Sequence, residues 1–481
     1  MGDGARNPTY EELAALVVDL KAQVERLEHD LTETKRELTE TKRELADTKR
    51  ELAAAKKNSG NSSKPPSSDI AKPPKSKPKG RGKRKKGGQH GHPKHSRPAF
   101  TPDEVDETVE HAPDHCPGCG GTLEDDGEAT VHQQAELVEK PIRVTEHRAT
   151  PKRCCGCGRK VKTTIPKDLR AGGLCGPRLT AFAAFLKGGC HASTSTVQAV
   201  FSDVLGLPLS SGFVMKMLAK TTAALDVPYA EALERLPEAE AVNADETGHK
   251  ENGERWWTWV FRTACFTLFR IADSRGSKVL DDTLGPDFAG FLGADYFSAY
   301  RKYMENSNAV VQFCLAHLIR DVRFLCESTD KVTANDGERV LECLRRLFHV
   351  LHRKDALTPA GFQRRLEEER DKLLATAKRP PPRSDAENLA DRFREYGDEY
   401  VRFVTSPEVA PTNNAAEQAI RFCVIDRRIT QGTRSEKGRR WCERIWTASA
   451  TCAQQGRSLF RYLEDAITAH FHQLPAPSLI A

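Results

Sequence analysis

Apolar residues return every seven positions from Tyr10 to Leu52, and no other feature restricts the chain's N-terminal part so tightly. One seam reads Tyr10, Val17, Val24, Leu31, Leu38, Leu45 and Leu52. The other reads Leu13, Leu20 and Leu27, then Thr34, Thr41 and Thr48. About six heptads exceed the three or four that mark a coiled coil. LTETKRE at 31–37 repeats identically at 38–44 and nearly so at 45–51. In a parallel pair, Glu37 and Glu44 stand opposite Lys42 and Lys49 of a second copy. The pattern predicts a coiled coil over 8–57 and a homo-oligomer; the alternative is a single solvated helix. The threonines weaken the second half and leave the strand number open.

Residues 58–100 are a different material. Between positions 64 and 97 twelve Lys/Arg face one acid, Asp69, a local charge of +11 in a chain whose total is +6. Ser, Pro and Gly dominate the rest, so the segment cannot bury enough surface to offset ordering entropy. A disordered basic linker is expected, holding DNA phosphates by counterion release, with Lys83, Arg84, Lys85 and Lys86 as its densest run. No interleaved aromatic residues favour base stacking, so sequence readout by the linker is not expected.

No apolar run approaches the ~18 residues of a membrane span. Met1 to Lys21 lacks the basic-then-apolar order of a secretory signal. Fourteen cysteines without such a signal point to a reducing, cytoplasmic compartment and to metal ligands rather than disulfides. Cys116-x-x-Cys119-Gly and Cys154-x-x-Cys157-Gly supply four thiolates for one tetrahedral Zn²⁺ in a ribbon-like module over 110–165, with Glu136–Val144 as short strands. Cys155 competes with Cys154 as the ligand. Four closed ligands make that zinc structural, not catalytic.

Residues 174–228 read as helices: Gly176-Pro177 opens one, Ser195 to Leu205 forms the next, and after Gly206 either Ser210 or Ser211 caps a third. The order fits a DNA-reading helix-turn-helix and equally a small helical bundle.

From 238 to 465 the pattern changes to α/β. Glu240 to Ala244 reads as a short strand ending at Asp245 and a turn. Arg255 to Thr263 and Cys265 to Ile271 follow as strands, and the tryptophans at 256, 257 and 259 pack the sheet. Ser277 to Leu284 is a helix, Phe291 to Ala294 a strand ending at Asp295, and Val310 to Cys314 a further strand before a helix with His317 and Arg320. Three antiparallel strands, a helix and further strands form the order of a ribonuclease H-like domain, with Asp245 and Asp295 at its first two metal-carboxylate positions. Glu417 is the candidate third acid, although Asn414-x-x-Glu417 also fits a capping box and Glu417 with Arg421 an i,i+4 pair. Glu246 rivals Asp245, and strand alternation lets only one of them face the site. Cys314-x-x-His317 has no second pair and reads by default as core.

These residues carry a resemblance. NSSKPPSSD at 61–69, GGQHGH at 87–92, CPGCG at 116–120, GPRLTAF at 176–182, ADETG at 244–248, ADYFSAY at 294–300, CLAHLIRD at 314–321 and TNNAAEQAIR at 412–421 resemble the insertion-sequence-66 transposases in order and spacing. The resemblance implies a DDE transposase of bacterial, nucleoid-associated setting. It carries the three acids onto Asp245, Asp295 and Glu417 as ligands of Mg²⁺ or Mn²⁺. It makes His317, Arg320 and Arg421 candidates to border the DNA or brace the site. The separation of 122 positions between Asp295 and Glu417 fits a helical insertion at about 328–400. After Val424 the chain departs from the commoner pattern, which leaves the roles of Arg427, Arg428, Arg434 and Arg439 open.

The expected architecture is therefore multidomain α+β: coiled coil, zinc ribbon-like module, helical DNA-binding unit, and ribonuclease H-like core. The expected activity is metal-dependent cutting of element ends and joining of the freed 3′-OH to target DNA, with accessory proteins of the element as further partners. A zinc-containing DNA-binding regulator without catalysis and a ribonuclease H-like repair nuclease are the alternatives.

Overall fold

The computed structural model describes residues 9–56, 98–109, 111, 115, 117–122, 131–139, 141–157, 159–162, 164–382 and 384–480. Lys83, Arg84, Lys85, Lys86 and Cys116 lie outside the described residues.

Helix α1 (Tyr10–Lys56) runs unbroken for 47 residues. At 1.5 Å per residue that is roughly 70 Å. Its seam is uncovered in the single chain, with Leu31, Leu38, Leu45 and Leu52 each 53–55 % exposed. The threonines that interrupt the second seam are self-satisfied: Thr34, Thr41 and Thr48 donate their hydroxyls to the carbonyls of Asp30, Glu37 and Glu44 at 2.8–2.9 Å. A partner helix would therefore bury methyl groups there without orphaning a donor.

The next segment holds one short ladder, β1 (Lys152–Arg153) antiparallel to β2 (Lys160–Val161), around the second cysteine turn. Among the described residues Glu136–Val144 joins no ladder, contrary to the strand reading of its sequence. Its described residues are mostly exposed, so its β-formers have no neighbouring strand or face to pack on.

A helical layer follows: α2 (Lys167–Gly172), α3 (Pro177–Ala184), α4 (Thr194–Ala199), α5 (Ser211–Ala224) and α6 (Asp226–Arg235). Wider, five-residue turns extend α3 through Phe185–Gly189 and α4 through Val200–Val204. Gly206, at φ +64°, ends the second helix. Ser210 is the cap of α5, its hydroxyl accepting from the Phe213 N–H at 3.2 Å.

The core sheet has five strands: β3 (Ala241–Glu251), β4 (Glu254–Arg262), β5 (Thr267–Ala272), β6 (Phe291–Ala294) and β7 (Val310–Phe313), ordered β5-β4-β3-β6-β7. The first three are antiparallel; β6 and β7 run parallel to β3. This order fits a ribonuclease H-like core. Helices α7 (Lys278–Leu284) and α8 (Ser298–Asn306) connect β5 to β6 and β6 to β7. The first strand is longer than its sequence reading. It passes through Asp245 and turns only at Asn252-Gly253, whose φ values are +52° and +91°. Asn-Gly is the strongest two-residue hairpin signal, and the alternating tryptophans of β4 extend the ladder to it.

After β7 come α9 (Leu315–Cys326) and three long helices, α10 (Lys331–Leu351), α11 (Pro359–Ala377) and α12 (Ser384–Val401), the last kinked at Tyr396. They lie between β7 and the helix that carries Glu417. The chain then returns as α13 (Asn414–Thr430), α14 (Glu436–Gln454) and α15 (Leu459–His472).

Strand alternation gives the sheet two apolar faces. Val242, Ala244, Trp259, Phe261 and Leu268 pack with α7, α8, α9 and the insertion. Val260, Phe269 and Ile271 pack with α14, α15 and the helical layer of residues 174–228, which shares its core with the C-terminal helices. Among the described residues no helix is long and apolar enough to cross a membrane.

Candidate active site

Asp245 lies in the middle of β3, and its neighbours on β6 follow from the parallel register. Val242 pairs with Leu292 and Asn243 with Gly293, so two residues further Asp245 stands beside Asp295. Gly293 permits this approach, because a Cβ there would come within 2.3 Å of Asn243 Nδ2. Backbone N–H groups hold each acid: Glu246 N donates to Asp245 Oδ1 and Phe297 N to Asp295 Oδ1, both at 2.9 Å. Burial raises the Asp245 carboxyl well above the carboxylate range, and the charges of Glu246, Asp295 and Glu417 add to it. Burial and Glu246 push Asp295 up to about 7. Both acids thus sit where negative charge is poorly compensated, which is the condition a divalent cation relieves.

Glu246 points the other way. It is buried on the α8 face, where Arg275 donates to it from Nη2 at 2.6 Å and Nε at 2.8 Å, and the Tyr300 hydroxyl donates at 2.5 Å. Glu246 thus has its own cation and donor, while Asp245 is held by a backbone N–H. Arg275 also stacks over Trp257 at 4.8 Å and Phe297 at 3.8 Å. Neither Arg275 nor Tyr300 was singled out in the sequence; a buried acid next to Asp245 was the only signal that such a pair had to exist.

Glu417 rises from the first turn of α13. It neither closes a capping box nor pairs with Arg421, which is exposed. Instead Arg320 of α9 reaches both of its oxygens at 3.3 Å, and His317 Nδ1 lies 3.5 Å away. His317 and Arg320 therefore brace Glu417 and do not face outward. Asn413 anchors the start of α13 to both neighbours. Its Nδ2 donates to the Ala244 carbonyl at 2.6 Å and its backbone N–H to Cys314 Sγ at 3.1 Å. Cys314, His317 and Glu417 bring one donor atom each within 4.8 Å of the others, the one such group of His, Cys, Asp and Glu among the described residues. Asp245, Asp295 and Glu417 share a field but do not form so tight a set.

The late arginines divide. Arg427 donates to Thr247 at 3.3 Å, and Arg439 pairs with Glu251 at 2.9 Å while covering Trp256. Arg428 and Arg434 are exposed. Beside Asp295 a cleft of about 710 Å³ opens between Arg275, Lys278, Phe297, Arg301 and Lys302, with Glu305 as its acid.

The second cysteine turn closes on itself through hydrogen bonds to Cys154. The backbone N–H and thiol of Cys157 and the Gly156 N–H lower the Cys154 thiol. Cys119, Cys154 and Cys157 are exposed, free thiols and do not converge on one point. Among the described residues these thiols form no closed metal site.

Residues 172–440 match the family described as transposase IS66 family, and residues 4–98 match a family of unknown function (DUF6444). An uncharacterized protein, y4hP, of Sinorhizobium fredii (strain NBRC 101917 / NGR234) is 24 % identical over 391 residues, covering 73 % of this chain and 70 % of that protein. The family match takes in the helical layer, the whole sheet, both aspartates, the insertion and the helix that carries Glu417, more than half of the chain, and the chain belongs to the IS66 transposase family.

Proposed function

We propose that the protein is a DNA transposase that cuts element ends and joins the freed 3′-OH to target DNA, with Asp245, Asp295 and Glu417 as its reactive-centre acids. The observation that carries this reading is that the parallel register of β3 and β6 leads Asp245 and Asp295 to the same end of adjacent strands, where burial and the neighbouring acids raise both carboxyls. Their hard oxygens suit Mg²⁺ or Mn²⁺. The three acids would hold such ions, which when bound supply activation of the attacking oxygen and stabilisation of the leaving one. The protein's own part is to fix the donors. The backbone N–H groups of Glu246 and Phe297 orient the two aspartates, and Asn413 sets the register of α13 against β3. Arg320 holds the Glu417 carboxylate at the edge of the site.

The test is an assay of purified protein, Mg²⁺ and DNA carrying the element ends, repeated with Asp295→Ala. Loss of nicking in the variant supports the reading. Equal nicking by both proteins sinks it, and nicking without strand joining favours a nuclease.

The cleft beside Asp295 fits a DNA backbone. Lys278 and Lys302 are exposed, and Arg275 and Arg301 lie deeper. In Lys278→Ala/Lys302→Ala, binding of duplex DNA should weaken at every sequence alike. The slope of log K against log salt should flatten by about 1.8, since each lost phosphate contact removes ~0.9. An unchanged slope in a filter-binding titration would move the DNA path elsewhere.

The seam of α1 is proposed as the self-association surface. Leu31→Lys/Leu38→Lys places two charges per chain in it and should convert the oligomer to monomer in equilibrium sedimentation. Zinc on Cys116, Cys119, Cys154 and Cys157 is likewise proposed; it would draw the two cysteine turns onto one ion.

A further inference from the structure

We propose that Cys314, His317 and Glu417 form a second metal site, for a borderline-soft divalent cation of the zinc type, with three protein ligands and one open position. The sequence makes two of the ligands neighbours. In Cys314-x-x-His317 the cysteine is the cap of α9 and the histidine its third residue, so both point out of the same helix start. The third arrives from α13, whose first turn is pinned to Cys314 by the Asn413 N–H. The three donors lie within 4.8 Å of one another.

Each donor is prepared for a cation. Cys314 is 2 % exposed, and the Asn413 N–H already points at its sulfur, as N–H groups do at metal-bound thiolates. His317 is 9 % exposed, and its buried Nδ1 makes no hydrogen bond, the Glu417 Oε1 3.5 Å away lying outside bonding geometry. A buried imidazole nitrogen in that condition is costly unless something fills it. Glu417 supplies the negative charge. Among the described residues Arg320 is the side chain of fixed charge that reaches it, at 3.3 Å, and so stands where a metal's charge would be felt. A sulfur, a nitrogen and one oxygen are a poor set for Mg²⁺, which demands hard oxygens, and a good one for Zn²⁺. Three protein ligands are the number at which zinc sites keep an open position. Binding would release the Cys314 thiol proton to solvent.

One consequence rests on the reading of Glu417 as the third reactive-centre acid. An ion held here takes Glu417 away from Asp245 and Asp295, so zinc and Mg²⁺ would compete for one carboxylate.

The experiment uses the full chain carrying Cys116→Ser/Cys119→Ser/Cys154→Ser/Cys155→Ser/Cys157→Ser, which removes both cysteine turns as a source of signal. The metal-free protein is titrated with Co²⁺ alone and then with Zn²⁺ in competition. The expected result is one equivalent of Co²⁺ with a thiolate charge-transfer band that Zn²⁺ abolishes. Adding Cys314→Ser should remove the band. His317→Gln should weaken binding at least tenfold. Arg320→Met removes the competing cation and should tighten it about tenfold. That last variant gains affinity, which a misfolded protein would not do. Absence of the thiolate band in the protein with Cys314 intact, or a band that persists in Cys314→Ser, overturns the proposal. Neither result depends on DNA cleavage, so the metal site and the transposase reading fail separately.

Discussion

Asp295→Asn is expected to stabilise the metal-free protein at pH 8 while it lowers end cleavage by ~10³-fold or more, the several kcal/mol that metal-clamped carboxylates supply. The stability gain follows from the pushed-up carboxyl. Its value is about 7 in the folded chain against an ordinary 3.8, so the folded state holds the proton more tightly. Relative to an amide, which never ionises, Asp295 is harmless below the unfolded value. Its cost grows as pH rises from about 4 and levels off above about 7. Across that window a lone group costs roughly 4 kcal/mol, and shared charge among the neighbouring acids reduces this to about 2–4 kcal/mol. Thermal unfolding of both proteins at pH 5 and pH 8 in chelator is the check. The asparagine variant should have the higher midpoint at both, with a gap at pH 5 a little over a third of that at pH 8. Mg²⁺ should raise the midpoint of the unaltered protein at pH 8 and barely at pH 5, where protons occupy the ligands. Equal midpoints at pH 8 would mean that Asp295 feels no deficit of positive charge.

Arg275→Ala is expected to be among the most destabilising single changes in the core, at about 3–5 kcal/mol. The Glu246 side chain is 1 % exposed and relies on Arg275 as its cation, with Tyr300 as its second donor. Removing the guanidinium leaves a carboxylate buried against Trp259 and Tyr300, and it also strips the stacking on Trp257 and Phe297. Glu246→Gln/Arg275→Met should recover much of the loss, because no charge is then left alone. Urea midpoints of the two variants decide this. If the double variant is no more stable than the single, the cost lies in the lost stacking and not in the orphaned charge.

The two carboxylate motifs show how far pattern reading reached. The strand from Phe291 to Ala294 and the acid after it could be read directly, since four apolar or small residues precede Asp295 and a helix follows. The strand bearing Asp245 was read too short, because Asp245-Glu-Thr-Gly looks like a turn. Only the ladder to β4, closed at Asn252-Gly253, carries it on to Glu251. Alternation correctly demanded that Asp245 and Glu246 part, but not which faced the site. That depended on Arg275 and Tyr300, 29 and 54 residues away in sequence. Glu417 was the least legible. A short-range cap and a short-range ion pair both explained it, yet its partners are His317 and Arg320 on α9, across the insertion.

What depends on neighbours along the chain was settled by the sequence itself: the heptads of α1, the charge of the basic segment, the cysteine spacing, and the order of strands and helices from residue 238 on. Period and local chemistry decide these, and both are written residue by residue. What depends on the meeting of distant segments was decided only by the tertiary structure. The sheet's register brings Asp245 beside Asp295, and the insertion lets α13 return to β3 under Asn413. Packing then gives Cys314 and His317 a carboxylate that their spacing alone did not announce. A buried charge must find a partner somewhere, but the chain has many acids and bases, and only the folded geometry selects the pair.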